Sequence, residues 1–251
     1  MRTGRLTLAV SLGLILCAPL LWAQDPDFAA MLRKVDSLNH FAGDFSAVYT
    51  VVAEKPGQET SVTQAQLFRR DAGNKFVLLI LQPEVQKGQG YLQIDNNLWF
   101  YDPESRKFSH SSLKENFQSS DAKNSDFNKT SLADDYKVES WTEGTLGVYP
   151  VYILTLVGLT DTVTYPKMKV WIRKDLPIML KTEDYSLSGR LMRSSYLPRY
   201  TRVGDNYVPA QMLFVDELNK GNRTQVTIGN PSIAPLPDSV YTKDFLERVN
   251  R

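Results

Sequence analysis

The chain has 251 residues, 42% of them hydrophobic, enough for one large core or two modest ones. Its 29 basic residues face 28 acidic ones, a net charge of +1, so nothing electrostatic recommends nucleic acid or an anionic membrane surface as partner. Its single cysteine, Cys17, lies in an N-terminal apolar segment. A chain cut beyond it has no disulfide, no thiolate metal site and no cysteine nucleophile.

Met1 to Ala23 has the layout of a secretory signal: Arg2 and Arg5, an apolar run from Leu6 to Leu16, and a small residue at Ala23. Two alternatives stand beside it. One is an uncleaved anchor helix, against which Pro19 and the shortness of the run argue. The other is lipidation of Cys17, although Leu16 is bulky where a small residue is usual. Removal of residues 1–23 leaves 27 basic and 28 acidic residues. No second long apolar stretch follows, so residues 24–251 are expected to be soluble and to lie outside the inner membrane.

Phe28, Met31, Leu32, Val35 and Leu38 recur at helical spacing between Asp25 and Phe41, with Asp25 and Pro26 suited to a cap and first turn. Asp44 to Glu54 switches to period two, with Phe45, Ala47, Tyr49 and Val51 on one face. Lys55-Pro56-Gly57 turns the chain into a more polar strand, Ser61 to Arg70. The stretch from Lys75 to Tyr101 organises the rest. Phe76 to Leu81 are all apolar, so as a strand both faces need cover. Tyr91, Gln93 and Asp95 alternate with Leu92 and Ile94, and Asn96-Asn97 makes a hairpin turn before Leu98 to Tyr101.

A short strand is expected near Phe108. Leu113 to Glu139 reads as a polar excursion with one or two short helices, the second near Ser131 to Tyr136; connections this long are usually functional or disordered. The strand pattern returns from Val148 in six segments: Val148–Leu156, Thr164–Lys174, Ile178–Tyr185, Arg190–Thr201, Tyr207–Leu218 and Thr224–Ile228. Asp238 to Val249 suits a short capping helix. Strands at this spacing imply one large antiparallel sheet, curled or closed.

Residues that carry chemistry are scarce. His40 and His110 stand in different contexts without a carboxylate at metal-ligand spacing. Gly88-Gln89-Gly90 has no helix behind it to cradle a phosphate, and Asp134-Asp135 reads as a solvated helix end. Enzymatic activity, a metal site and a cofactor are therefore not expected. A curled sheet with large apolar residues on alternate positions has a concave face that helices must cover. Pattern alone favours a filled core over a hollow. Arg69-Arg70, at a strand end, is either a solvated pair or a latch to carbonyls of a covering helix.

Leu67-Phe68-Arg69-Arg70, the strand running to Gln82-Pro83, the Gly88-x-Gly90-Tyr91 loop and Leu98-Trp99-Phe100-Tyr101-Asp102-Pro103 resemble the outer-membrane lipoprotein-sorting family. So do Ser125-Asp126-Phe127, Asp135-Tyr136, the strand from Tyr165 to Trp171 and Asn222-Arg223-Thr224. That family is related to the LolA/LolB periplasmic lipoprotein carriers, and the resemblance spans nearly all of residues 24–251. It implies an α+β, mainly antiparallel fold: an unclosed, half β-barrel with helices covering a concave apolar face. It also implies a non-enzymatic carrier whose cavity holds acyl chains and delivers them toward the outer membrane. Each methylene left in water costs roughly 0.8 kcal/mol.

On this reading Arg69 or Arg70 is the lid latch. The turn after the pair is longer than in the related carriers, so both remain candidates. The cavity would be lined by Leu78, Ile80, Leu92, Ile94 and Phe100 from the first half, and by Leu154, Leu156, Met168, Val170 and Phe214 from the second. Acylated lipoproteins or lipids are the expected partners of a monomer. An inner-membrane release complex and an outer-membrane acceptor are left open. An envelope sensor of lipid or lipoprotein on the same scaffold, or an envelope scaffold or adhesin whose concave face is filled, are the alternatives.

Overall fold

The computed structural model describes residues 26–249, so the expected signal segment and Cys17 lie outside it. The first half contains α1 (Phe28–Leu38), β1 (Asp44–Glu54), β2 (Ser61–Arg70), β3 (Lys75–Gln82), β4 (Gly90–Ile94), β5 (Asn97–Asp102) and β6 (Lys107–Ser111). After a short α2 (Leu132–Asp135) come β7 (Tyr136–Leu146), β8 (Tyr149–Gly158), β9 (Lys167–Arg173) and β10 (Met179–Tyr185). The chain ends with β11 (Leu191–Val203), β12 (Asn206–Asp216), β13 (Arg223–Ser232) and α3 (Lys243–Arg248).

These strands form one 13-stranded sheet in the order β6-β5-β4-β3-β2-β1-β13-β12-β11-β10-β9-β8-β7. Every pairing is antiparallel, and β6 and β7 form the two free edges. The fold is therefore an unclosed half-barrel. Because β6 and β7 are opposite edges, residues 112–135 must cross the sheet from side to side. They do so over the concave face, where Phe117 and Phe127 are buried against the inward residues of β1 to β5.

Strand parity explains which residues meet. In β1, Phe45, Ala47, Tyr49 and Val51 are buried in the concave cluster, as their alternation predicts. The apolar run in β3 is covered on both faces. Phe76, Leu78 and Ile80 join the concave cluster, while Val77 lies outside it with Val240, Tyr241 and Leu246 of the C-terminal segment. Thus α1 and α2 cover the inside, and α3 covers the outside of β3 to β5. Burying a residue such as Leu246 contributes about 1.5–3 kcal/mol to that attachment.

Two expectations are corrected. The strand pattern resumes at Tyr136, not Val148. The missed strand, β7, is an edge with mostly exposed or half-exposed residues, and a register shift between Val138 and Ser140 breaks its alternation. Leu92 and Ile94 do not face the concave side. They pack in the outer cluster beneath the C-terminal segment, while Tyr91 belongs to the inner one and Gln93 accepts a hydrogen bond from Asn128 of the crossing segment at 3.0 Å. The apolar set in β4 is real, but its cover is the C-terminal segment, and a period of two cannot say which side is inside.

Candidate functional site

Asp27 caps α1, its carboxylate accepting from the Ala30 N–H at 2.8 Å. The buried stripe Phe28, Leu32, Val35 and Leu38 turns inward. Phe28 packs against Trp141 and Tyr152 of the β7–β8 edge, with ring centroids 5.0 and 5.5 Å away. Asp36 ties the two covering helices together: its carboxylate accepts from the Leu132 and Ala133 N–H groups at 2.9 and 2.8 Å. Burial raises the Asp36 pKa, and those donors oppose the shift.

The far end of α1 is held by Arg69. Its Nη2 donates to the Asn39 carbonyl at 2.6 Å, and its Nε lies 2.8 Å from Asp71. The guanidinium also sits 5.2 and 5.4 Å from the rings of Phe41 and Phe45. Asp71 in turn accepts from the Phe41 N–H at 2.7 Å. Asn206, the first residue of β12, donates to the His40 carbonyl at 2.6 Å. Arg70 points to the other face, toward Asp44, Asp238 and the Leu236 carbonyl, and so clamps the C-terminal segment.

Under α1 and α2, facing β9 to β12, lies a cavity of about 210 Å³. Val35 and Leu38 form its roof; Met168, Met179, Leu197, Met212 and Phe214 supply apolar walls. The lining is polar as well, with Asp126, Thr182, Arg193 and Ser195 among it. Arg193 is the centre of this polar group. Its Nε donates to Asp184 at 2.9 Å, and its two terminal nitrogens reach Asp126 at 2.6 and 3.0 Å. The guanidinium lies 4.7 Å from the Phe214 ring and 5.1 Å from that of Tyr165. Burial works against the Arg193 charge, but Asp126 and Asp184 outweigh it and hold its pKa well above the arginine norm. Burial pushes the Asp184 carboxyl up, with Arg193 pulling the other way.

The ten residues expected in the cavity fall into four groups. Met168 and Phe214 line it. Leu78 and Ile80 are fully buried in the half filled by Phe117 and Phe127, and Phe100 packs at that cluster's margin against Tyr91. Leu154, Leu156 and Val170 are fully buried beneath α1, supporting the helix instead of facing open space. Leu92 and Ile94 are on the outer face, as above. The filled concave face anticipated from pattern holds for β1 to β5, whereas the open space lies toward β9–β12. Sequence reasoning missed Arg193 and Ser195. Their strand face reads Arg193, Ser195, Leu197, which carries no apolar stripe; only Ser125-Asp126-Phe127, the partner motif, was visible.

A family model described as "Uncharacterized protein" matches residues 72–248. The chain belongs to that family. Its fold is the one seen in the LolA superfamily and in outer-membrane lipoprotein-sorting domains, as the sequence motifs suggested. A LolA superfamily protein from Nitrosomonas europaea is 22% identical with a TM-score of 0.76, covering 86% of this chain and 97% of its own. A protein from Vibrio parahaemolyticus described as an outer membrane lipoprotein-sorting protein domain is 19% identical with a TM-score of 0.79, covering 88% and 98%. A DUF1329 family protein from Desulfovibrio piger is 19% identical with a TM-score of 0.76, covering 88% and 96%. Among curated proteins nothing matches the sequence.

Proposed function

We propose that this family member is a non-enzymatic carrier in the periplasm that shelters an acyl chain of a lipoprotein or lipid and delivers it toward the outer membrane. The observation that supports this is the cavity between the covering helices and β9 to β12, whose mixed lining includes the apolar walls of Met168, Met179, Leu197, Met212 and Phe214. At about 210 Å³ it exceeds the roughly 150 Å³ apolar cavity that suffices for benzene. It is large enough for a short hydrocarbon stretch. Longer or additional chains require α1 and α2 to lift from β8 and β9. Methionines suit such a site because their unbranched side chains adapt to changing contents.

The reading is tested by purifying the protein from its native envelope and identifying bound material by mass spectrometry. Co-purified acylated species, releasable to acceptor vesicles, are expected. A lipid-free protein that also fails to bind a fluorescent fatty-acyl probe would leave only the scaffold role. The same spectrum reports the mature N-terminus, and so the expected cut after Ala23 and the state of Cys17.

A further inference from the structure

Two buried hydroxyls of the cavity lining, those of Thr130 and Ser195, make no hydrogen bond among the described residues; that of Thr130 stands beside the Asp36 carboxylate, which leaves Ser195. Ser195 is 3% exposed, and its Oγ has no hydrogen-bond partner among the described residues. On β11 it lies in register with Thr182 of β10 and Phe214 of β12. Arg193 and Leu197, two residues to either side, share its face, and all of them line the cavity. Its neighbour Ser194, on the other face, donates to Glu217 at 2.6 Å. A buried hydroxyl is normally paired, so an unmet one on a residue that lines a cavity marks a place for a partner, which the Ser195 hydroxyl meets by turning from its covered position toward the open space. Ser195 also stands where the lining changes from charged to apolar.

The charged side of that boundary is already closed. Four hydrogen bonds run from Arg193 to Asp184, Asp126 and the Asp121 carbonyl. Its charge is balanced, and Asp126 would repel a ligand carboxylate. Lys129, the other cation of the lining, is directed to the Asp71 carbonyl at 3.4 Å. What fits is a neutral oxygen acceptor attached to a hydrocarbon. We propose that Ser195 is the specificity position of the cavity, its hydroxyl donating to the carbonyl oxygen of an ester- or amide-linked acyl chain whose first methylenes lie against Leu197 and Phe214. This rests on the acyl-binding reading and adds to it a preference for acyl esters and amides over free fatty acids and over ethers.

The test compares three probes of one chain length, 1-octanoylglycerol, 1-O-octylglycerol and octanoate, binding to the wild-type protein and to Ser195→Ala. Wild type is expected to bind the ester about five-fold more tightly than the ether, with octanoate weaker than the ester at pH 8. Ser195→Ala should bind the ether unchanged and lose the preference for the ester. Removing one unpaired hydroxyl leaves the sheet intact, so a folding defect does not confuse the result. If both proteins bind ester and ether in the same ratio, Ser195 bonds only water, and this proposal fails while the carrier reading stands. If wild type binds none of the probes, the acyl-chain reading itself falls, and this inference falls with it.

Discussion

Arg69 and Arg70 are adjacent in β2 yet hold opposite sides of the sheet. Arg69 donates inward to the Asn39 carbonyl at the end of α1 at 2.6 Å, while Arg70 forms a two-pronged pair with Asp44 at 2.7 and 3.1 Å on the outer face. The alternation of a strand makes this unavoidable for neighbouring residues. A single dipeptide therefore contacts the inner cover and the outer one, and of the two arginines it is Arg69 that reaches the end of α1.

Arg69→Leu should loosen α1 before anything else. The substitution leaves the buried Asp71 carboxylate without its cation and frees the Asn39 carbonyl, a change that costs about 3–5 kcal/mol in a buried pair. Urea unfolding should show that loss, and amide exchange should show residues 28–38 losing protection ahead of β1 and β2. Uniform loss of protection across the sheet would mean that Arg69 supports the core generally and is no latch.

Arg70 gives a prediction in pH. Its hydrogen bonds to Asp44, aided by the Leu236 N–H and the Tyr241 hydroxyl, lower the Asp44 pKa below its ordinary 3.8. A carboxyl whose folded pKa is depressed stabilises the fold above the unfolded value and loses that contribution as pH falls through the folded value. Asp44→Asn should therefore be less stable than wild type at neutral pH, by about 2 kcal/mol, and the gap should narrow below pH 3.8. Asp36, Asp121 and Asp184 are shifted upward and run the other way, so the measured quantity is the difference between the two proteins across thermal melts. A gap independent of pH would remove the ion pair from the account.

The strands whose burial repeats every second residue could be read directly. β1 and β2 begin and end where period two and the Pro-Gly turn place them, because each has one face in the core and one toward solvent. β7 could not, since an edge strand with a bulge has neither a clean apolar face nor a strict period. The site was harder. The apolar residues most visible in sequence, such as Leu78, Ile80 and Leu154, are those that pack without gaps. A cavity wall mixes methionine with serine, threonine and arginine, and that mixture has no periodic signature. Arg193 and Asp126 are 67 residues apart, a pairing that only the crossing of residues 112–135 over the sheet explains.

Gly90, from the loop motif visible in sequence, is needed for close approach. A Cβ there would stand 2.6 Å from a Leu246 methyl and 3.0 Å from the Leu78 carbonyl. Leu246 is fully buried in the outer cluster. Gly90→Val should lever α3 off β4, exposing the C-terminal segment to proteolysis while the cavity on the other face keeps its probe binding. Equal protease resistance in both proteins would show that the Leu246 side chain moves aside without releasing the helix.

Ile80 and Met168 separate packing from binding. Both were expected in the cavity, but Ile80 is fully buried in the filled half, whereas Met168 is half-buried and lines the open space. Glutamate at Ile80 places a carboxyl among the fully buried apolar side chains of the filled half, a burial of charge that a domain this size tolerates poorly. Ile80→Glu should therefore lose the cooperative melt altogether, and its failure to bind a probe would say nothing about the site. Met168→Glu should keep the β-sheet circular dichroism spectrum and a cooperative melt while weakening fluorescent fatty-acyl binding at least ten-fold. Leu187→Glu, at an exposed hairpin tip 92% open to solvent, serves as the control and should leave binding unchanged. Undiminished binding by a folded Met168→Glu protein would move the ligand out of the space beneath α1 and α2.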